Sequence, residues 1–255
     1  MGTQDGGHRH AAIAAIAERE YETAGDEYTR AGRRVLADPR PGVDPFEADE
    51  KGWTGIGLGY LAVAGICYRV CNRSKRATRR SVEGIAIARD LGDTMGHPIQ
   101  QACFSEFVAD FRAIAGMDDV STAYESAEAD YEAAGDSIDQ PQKWAMTPVF
   151  EAAIAPIQQV ARSLSNGEIA VEWETLHGSD PSRPGAFLSA RPAYKRQRFP
   201  SMLERLFDSE FLAAPRGTTA YGTDHHQCPN CGSTDVNWVG DNTLCLRCSR
   251  PSDPQ

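Results

Sequence analysis

The chain has 255 residues, of which 41% are hydrophobic and 24% are charged, so it is long enough to bury a sizeable core. It carries 36 acidic and 26 basic residues, and its net charge of −10 disfavours indiscriminate binding to nucleic acid. Only four of the basic residues are lysines, and this preference for arginine beside surplus carboxylate suits a halophilic, archaeon-like composition.

The sequence contains no feature that directs a protein to a membrane or to an oxidising compartment. No apolar run approaches the roughly 18 residues that a membrane helix needs. The N-terminal segment lacks the basic start and the long apolar block of a signal peptide. Seven cysteines, an odd number, argue against a disulfide framework. We therefore predict a cytoplasmic protein without membrane contact.

A twelve-residue motif occurs twice in the helical part of the chain. Apolar residues at helical spacing predict a helix from His10 to Leu36, and Tyr21–Gly32 within it shares six of twelve positions with Tyr124–Gly135. The offset of 103 residues is about three periods of the roughly 34-residue tetratricopeptide unit. The repeat predicts stacked helix pairs with Tyr28 and Tyr131 at equivalent places between helices.

A proline-rich loop follows, and after it the chain is apolar and rich in glycine from Gly55 to Cys71. Gly57-x-Gly59-x-x-Ala62 is similar to a variant of the dinucleotide fingerprint, which needs a preceding strand and a later acidic residue. A polar loop precedes this motif and a basic run follows it. Close packing between helices is therefore the favoured interpretation.

Basic residues crowd one predicted turn and the helix that follows it, and no acidic residue occurs between Glu50 and Glu83. Two interpretations stay open: a solvated face that pairs with carboxylates elsewhere, or a docking site for an acidic partner or a phosphate backbone. A second basic run lies further along the chain. The first group comprises Arg69, Arg73, Lys75, Arg76, Arg79 and Arg80, and the second Arg191, Lys195, Arg196 and Arg198.

Residues 64–93, AGICYRVCNRSKRATRRSVEGIAIARDLGD, resemble the helix pairs of tetratricopeptide and SNAP-like repeats. The resemblance implies a mainly α fold, in which residues 1–164 form an antiparallel helical-repeat array of about six helices. Residues 165–214 read as a mixed extension, with an extended segment at Ile169–Leu176 and a capping helix at Ser201–Leu212. Residues 215–227 read as a flexible linker.

The sharpest signal is the pattern C-x2-C-x13-C-x2-C, formed by Cys228, Cys231, Cys245 and Cys248. Each C-x2-C turn can deliver two sulfurs to one tetrahedral zinc ion, and four thiolates leave no open position for catalysis. Gly240-Asp-Asn predicts a hairpin turn between two short strands. Residues 228–250 resemble the zinc ribbons of transcription and ribosomal proteins. We predict one structural zinc, with iron as the rival metal.

The remaining candidate groups are weaker. Cys67, Cys71 and Cys103 read as small core residues, and His225 and His226 as solvated linker residues rather than ligands. No catalytic motif is present, so we do not expect an enzyme.

Two function classes remain. The first is an adaptor that binds a protein partner through its helical array, with the ribbon as a second interaction module. The alternative is a nucleic-acid-associated regulator that uses the ribbon and the arginine-rich turn. Trp238, Arg247 and Arg250 favour the alternative slightly, whereas the negative net charge and the repeat favour the adaptor.

Overall fold

The computed structural model describes residues 5–37 and 53–254, which form nine α-helices, one short 3-10 turn and five short strands. The predicted loop at residues 38–52 lies outside the described residues. The helices are α1 His8–Ala17, α2 Tyr21–Ala37, α3 Trp53–Val70, α4 Ser74–Thr94, α5 Pro98–Ala115, α6 Val120–Ala134, α7 Pro141–Ala145, α8 Pro148–Ser163 and α9 Pro184–Ser209. The strands are β1 Thr218–Ala220, β2 His226–Gln227, β3 Val236–Val239, β4 Asn242–Cys245 and β5 Asp253–Pro254.

The first predicted helix is two helices in the structure. Helix α1 ends at Ala17 and α2 begins at Tyr21, and Arg19 between them has a left-handed φ of 67°. Arginine rarely adopts that conformation, and the turn contains no glycine or proline. The sequence therefore gives no signal for a break between the two helices. The two helices pack against each other and bury Ile13 and Ile16 in the core.

Helices α1 to α6 pack successively, each against the one before it, while α9 covers α6 and α8 covers α3. This confirms the mainly helical class. Glycines allow the close approach predicted for α3: a Cβ atom on Gly57 would lie 2.5 Å from Cγ of Leu36. No helix in the described ranges combines the length and the hydrophobicity of a bilayer-spanning segment.

The two copies of the tyrosine motif lie on α2 and α6, with α3, α4 and α5 between them along the chain. The offset of 103 residues thus covers two helix pairs of the described structure, rather than the three periods that the sequence predicts. Among the described residues, eight α-helices rather than about six precede residue 164. Tyr21, Tyr28, Tyr124 and Tyr131 are all buried.

The segment after α8 also differs from the prediction. Ile169–Leu176 forms turns and irregular structure instead of a strand. A single 26-residue helix, α9, replaces the shorter capping helix and holds Pro192 and Pro200 within it. Its first turn touches the end of α6, where a Cβ on Gly135 would lie 2.6 Å from the backbone nitrogen of Gly185. This contact aligns α9 along α6.

Residues 215–254, hereafter the cysteine module, form a three-stranded sheet in the order β1-β3-β4 and a separate pairing of β2 with β5. The predicted hairpin is present, with Val236 opposite Cys245. The expected linker at residues 215–227 instead supplies β1 and β2. Val239 and Leu244 belong to the same hydrophobic core as the helices. The module is therefore packed onto the helices and is not tethered to them.

Candidate metal centre and binding surfaces

The four predicted cysteine ligands meet at one point of the cysteine module. The sulfurs of Cys228 and Cys248 are 3.5 Å apart, as are those of Cys231 and Cys245, and all four lie within 4.8 Å of one another. Four sulfurs bound tetrahedrally to zinc at about 2.3 Å are separated by about 3.8 Å. The spacing therefore fits one metal ion held by four thiolates.

The two C-x2-C turns have the same backbone geometry. The amide of Cys228 donates to the carbonyl of Ser233 and that of Gly232 to Cys228, both at 2.9 Å. In the second turn the amide of Cys245 donates to Arg250, and that of Ser249 to Cys245. Gly232 and Ser249, each four residues after the first cysteine, have left-handed φ values of 72° and 56°. Two matched turns thus present their sulfurs to a common centre.

The four thiols interact strongly with one another. The side-chain hydrogen bond with Cys245 lowers the pKa of Cys248 to about 4 against the effect of burial, whereas the same contact raises the pKa of Cys245. A thiolate is the form that binds a metal ion. No histidine joins the group among the described residues. The ring of His226 instead packs edge-on against Trp238, with the ring centroids 5.9 Å apart.

Hydrogen bonds and ion pairs hold the two C-x2-C turns against the rest of the chain. Arg19, in the turn between α1 and α2, donates to the carbonyl of Cys248, and its guanidinium also lies 4.2 Å from the ring centroid of Phe211. Arg250 donates to the carbonyl of Ala17 at 3.3 Å. Arg247 pairs with Glu168 after α8. The cysteine module therefore braces two separate parts of the helical structure.

The second basic run contributes two residues to the most deeply buried charged cluster in the described structure. Nη2 of Arg191 lies 2.7 Å from Oε2 of Glu106, and Nζ of Lys195 lies 2.6 Å from Oδ2 of Asp110. All four side chains are at most 1% exposed. The expectation that these two residues form part of a surface basic run is wrong.

The tyrosines of α6 complete this cluster. Tyr131 donates to Glu106 at 2.9 Å, and Tyr124 donates to Asp110 at 2.7 Å. Although burial alone would raise it, the two cations lower the pKa of Glu106 to about 2, whereas burial raises the pKa of Asp110 to about 6. Because solvent does not reach the cluster, its role is to lock α5, α6 and α9 together.

The spacing of charged residues in the sequence is a signal for this buried cluster, although it belongs to no known motif. Glu106 and Asp110 are four residues apart on the apolar face of α5, and Arg191 and Lys195 have the same spacing on α9. Opposite charges at matching helical spacing place both pairs in register when two helices face each other.

The six residues of the first basic group differ in location and in ion pairing. Arg69 donates to the carbonyl of Ile114 at 3.0 Å and covers the ring of Phe207, away from the other members. Arg73 and Arg76 pair with Glu22 of α2, and Arg80 pairs with Glu83. Lys75 and Arg79 are exposed and have no acidic partner among the described residues. Intramolecular pairing thus accounts for half of the group.

A groove, hereafter the α5 groove, runs between α4 and α6. Its floor is the exposed stripe of α5, and its volume is about 490 Å³ toward one end and about 340 Å³ toward the other. Arg89, Ser105 and Val108 line both halves, so the groove is continuous. The walls consist largely of small residues, namely Ala88, Gly92, Thr122, Ala123, Ser126, Ala133 and Ala134.

No protein-family model matches this chain, and the comparisons with curated proteins and with solved structures find no match. The cysteine cluster, the α5 groove and the arginines of α2 and α4 are the candidate sites for function. Each is defined by residues of this chain alone.

Proposed function

We propose that this protein is a non-enzymatic adaptor that holds an extended segment of a partner protein in the α5 groove. The observation that carries this proposal is the exposure pattern of α5, which is buried on every side except the stripe Gln101, Ser105, Val108 and Arg112. The stripe spans about 16 Å, which accommodates about five residues of extended peptide.

The chemistry of the groove indicates what kind of segment it takes. Small side chains on both walls let a peptide backbone approach closely. Asp93 and Asp130 line one half and have no basic partner among the described residues. Arg112 in the other half is already paired with Asp119. We therefore expect a segment with small residues at its centre and a basic residue over Asp93 and Asp130.

We further infer that α1/α2, α3/α4 and α5/α6 are three tetratricopeptide-like pairs, closed by α8 and α9. Support comes from the tyrosine motif, which recurs on the second helix of the first and third pairs. Arrays of this kind bind partners along the surface between their helices and use terminal elements to cover the last apolar face. Helix α9 covers α6 in that manner.

The metal that we propose is zinc, with a structural role. Four thiolates fill a tetrahedral shell and leave no position for water or substrate. The contacts of Arg19 with Cys248 and of Arg250 with Ala17 support a bracing role for the cysteine module. Elemental analysis is expected to return one zinc and no iron per chain. Iron in place of zinc would refute the identity of the metal but leave the bracing role intact.

The alternative, a nucleic-acid-associated regulator, has less support than the adaptor. Its case depends on the arginines of the cysteine module, yet Arg247 pairs with Asp235 and Glu168, and Arg250 pairs with Glu18. Both of these arginines are paired, so the cysteine module offers no unpaired arginine of this set to a phosphate backbone. A filter-binding assay with single-stranded RNA and duplex DNA, at several salt concentrations, tests this alternative directly.

A peptide-display selection tests the adaptor proposal. The zinc-loaded protein is used to select extended segments, which are then measured against Ser105→Trp, a substitution that fills the floor of the groove. Gln197→Trp, at an exposed position on α9, is the matched control. We expect Ser105→Trp to lose binding and Gln197→Trp to retain it. Selected segments that bind both variants equally would refute the groove as the binding site.

A further inference from the structure

A pocket of about 360 Å³, hereafter the arginine pocket, lies between α2 and α4 beside Tyr68 of α3. Five guanidinium groups line it, two from α2 and three from α4. These are Arg30, Arg33, Arg76, Arg79 and Arg80; the other lining residues are Asp26, Thr29 and Tyr68. Arg30 and Arg33 belong, with Arg34, to a separate group of arginines on α2, so only the fold shows that they join the α4 group.

Carboxylates outside the lining hold several of these guanidinium groups in position. Glu83 accepts hydrogen bonds from Nε and Nη2 of Arg33 at 2.8 and 3.1 Å, and it also pairs with Arg80. Glu83 thereby joins α2 to α4 across the pocket. Glu27 pairs with Arg30 on α2. Bidentate pairing of this kind fixes the direction in which the planar group points.

The lining of the arginine pocket holds five guanidinium groups and one carboxylate, and carboxylates just outside the lining balance part of that positive charge. Asp26 is its one acidic lining residue among those described, and it accepts hydrogen bonds from Tyr68, at 2.6 Å, and from Arg76. Arg79 is exposed and has no carboxylate partner in the described part of the chain. Such a concentration of cations contrasts with the net charge of −10 of the whole chain. Solvation alone gives no reason for arginines of two helices to converge on one cavity.

We propose that the arginine pocket binds a phosphoryl group, either free in an oligophosphate or carried by a phosphorylated side chain. The planar fork of arginine matches phosphate oxygens in bidentate geometry, and no lysine lines this pocket. Its volume lies at the lower end of the range for small-ligand sites. Phosphoryl oxygens accept from Arg79 and from the unpaired N–H groups of Arg30 and Arg80, while Tyr68 and Thr29 form the polar floor.

The pocket opens between α2 and α4, whereas the α5 groove lies between α4 and α6. The proposal is therefore independent of the adaptor function, and one can fail while the other stands.

Isothermal titration of the metal-loaded full chain tests the proposal, with pyrophosphate and a phosphoserine peptide as the two ligands and sulfate as a control anion. The key variant is Arg79→Ala, since Arg79 has no structural ion pair to lose. Arg198→Ala, at an exposed arginine on α9, is the matched control. Arg79→Ala is expected to weaken binding by about tenfold or more, and Arg198→Ala by less than about twofold.

The two ligands distinguish the sources of the phosphoryl group. Tighter binding of pyrophosphate indicates a free oligophosphate, and tighter binding of the phosphoserine peptide indicates a modified protein. Raising the salt concentration is expected to weaken either interaction. Absence of binding to both ligands would overturn the proposal. So would sulfate binding of equal affinity, or equal losses in Arg79→Ala and Arg198→Ala.

Discussion

Arg191 and Glu106 are 85 residues apart in the sequence, yet they form an ion pair with 1% and 0% of their side chains exposed. Nε and Nη2 of the arginine donate to the two carboxylate oxygens at 2.8 and 2.7 Å. Both charges are removed from water, and Glu106 is held by Arg191 together with Lys195, whose Nζ lies 2.7 Å from its Oε1. The pair connects α9 to α5 and thereby holds these two helices together.

Removing one member of this pair should destabilise the protein strongly. We expect Arg191→Met to lower the free energy of unfolding by about 3–5 kcal/mol, because Glu106 then keeps a buried charge without its main partner. The matched control is Arg196→Met, one turn away on α9, whose partially exposed guanidinium pairs with Glu125 and Glu128. That change should cost less than about 1 kcal/mol in urea denaturation.

The double variant Arg191→Met with Glu106→Leu should recover much of this loss. An apolar pair leaves no buried charge behind, and Lys195 keeps Asp110 as its partner. If the double variant is as unstable as the sum of its single changes, the two residues do not act as a pair. An Arg191→Met variant as stable as Arg196→Met would contradict the burial of the cluster.

The two copies of the tyrosine motif provide a second matched comparison. Tyr131 donates to Glu106 at 2.9 Å and accepts from Arg191 at 2.8 Å, whereas the buried hydroxyl of Tyr28 has no hydrogen-bond partner in the described structure. We expect Tyr131→Phe to cost about 1–3 kcal/mol of unfolding free energy and Tyr28→Phe to change it by less than about 0.5 kcal/mol. Equal losses at both positions, measured by urea denaturation, would contradict this assignment.

This comparison also shows how far the sequence predicts the fold. Spacing of apolar residues located the helical region, and cysteine spacing located the four clustered cysteines, because both patterns are local. The similarity of Tyr28 to Tyr131 is local too, but the difference between their hydroxyl environments is not. It depends on Glu106 and Arg191, which only the packing of α5 and α9 brings to Tyr131.

The errors have the same physical origin. The sequence predicts a helix only from Ser201, yet α9 runs through Pro192 and Pro200 because its packing on α6 outweighs the lost backbone hydrogen bonds. Thr218–Ala220 reads as a linker because a three-residue edge strand has too few side chains to form a pattern. Arg30 and Arg33 are distant from Arg79 in the sequence, and only the fold brings all three to one cavity.

Metal removal should affect more than the cysteine module. A strong chelator, or Cys248→Ser, is expected to unfold residues 215–254, because so small a sheet depends on its metal for stability. Amide exchange should also increase in the turn containing Arg19 and in the segment near Glu168, which contact Cys248 and Arg247. Hydrogen exchange of metal-loaded and metal-free protein measures both effects. If metal removal leaves the amide protection outside residues 215–254 unchanged, the bracing role is contradicted.

Gly167→Ala separates docking of the module from metal binding. Gly167 has a left-handed φ of 84°, and a Cβ atom there would lie 2.0 Å from the carbonyl oxygen of Leu246. We expect this variant to keep one metal per chain while losing protection at Arg19 and Glu168. Loss of the metal itself from Gly167→Ala would show that the site does not form without docking. Gly222→Ala, also at a left-handed glycine but with open space around it, controls for backbone strain alone.

His177 should make the stability of the protein depend on pH. Its ring is 6% exposed and stacks on Trp173 with the centroids 4.2 Å apart, and Nδ1 donates to the Trp173 carbonyl at 2.8 Å. Burial lowers the pKa of His177 to about 4, below the value of 6.5 in an unfolded chain. The unfolded state therefore binds the proton more readily between these values, and stability is lost as the pH falls from about 6.5 to about 4.

The size of this pH effect can be isolated with two variants that keep an aromatic ring. Wild type should lose up to about 3 kcal/mol across that window through His177, whereas His177→Phe removes this contribution and flattens the profile. His225→Phe, at an exposed position, should leave the slope unchanged. Protonation of the cysteine thiolates occurs in all three proteins, so it cancels when their urea denaturation profiles are compared. A profile of His177→Phe that is parallel to wild type from pH 6.5 to 4 would show that His177 is not kept neutral by the fold.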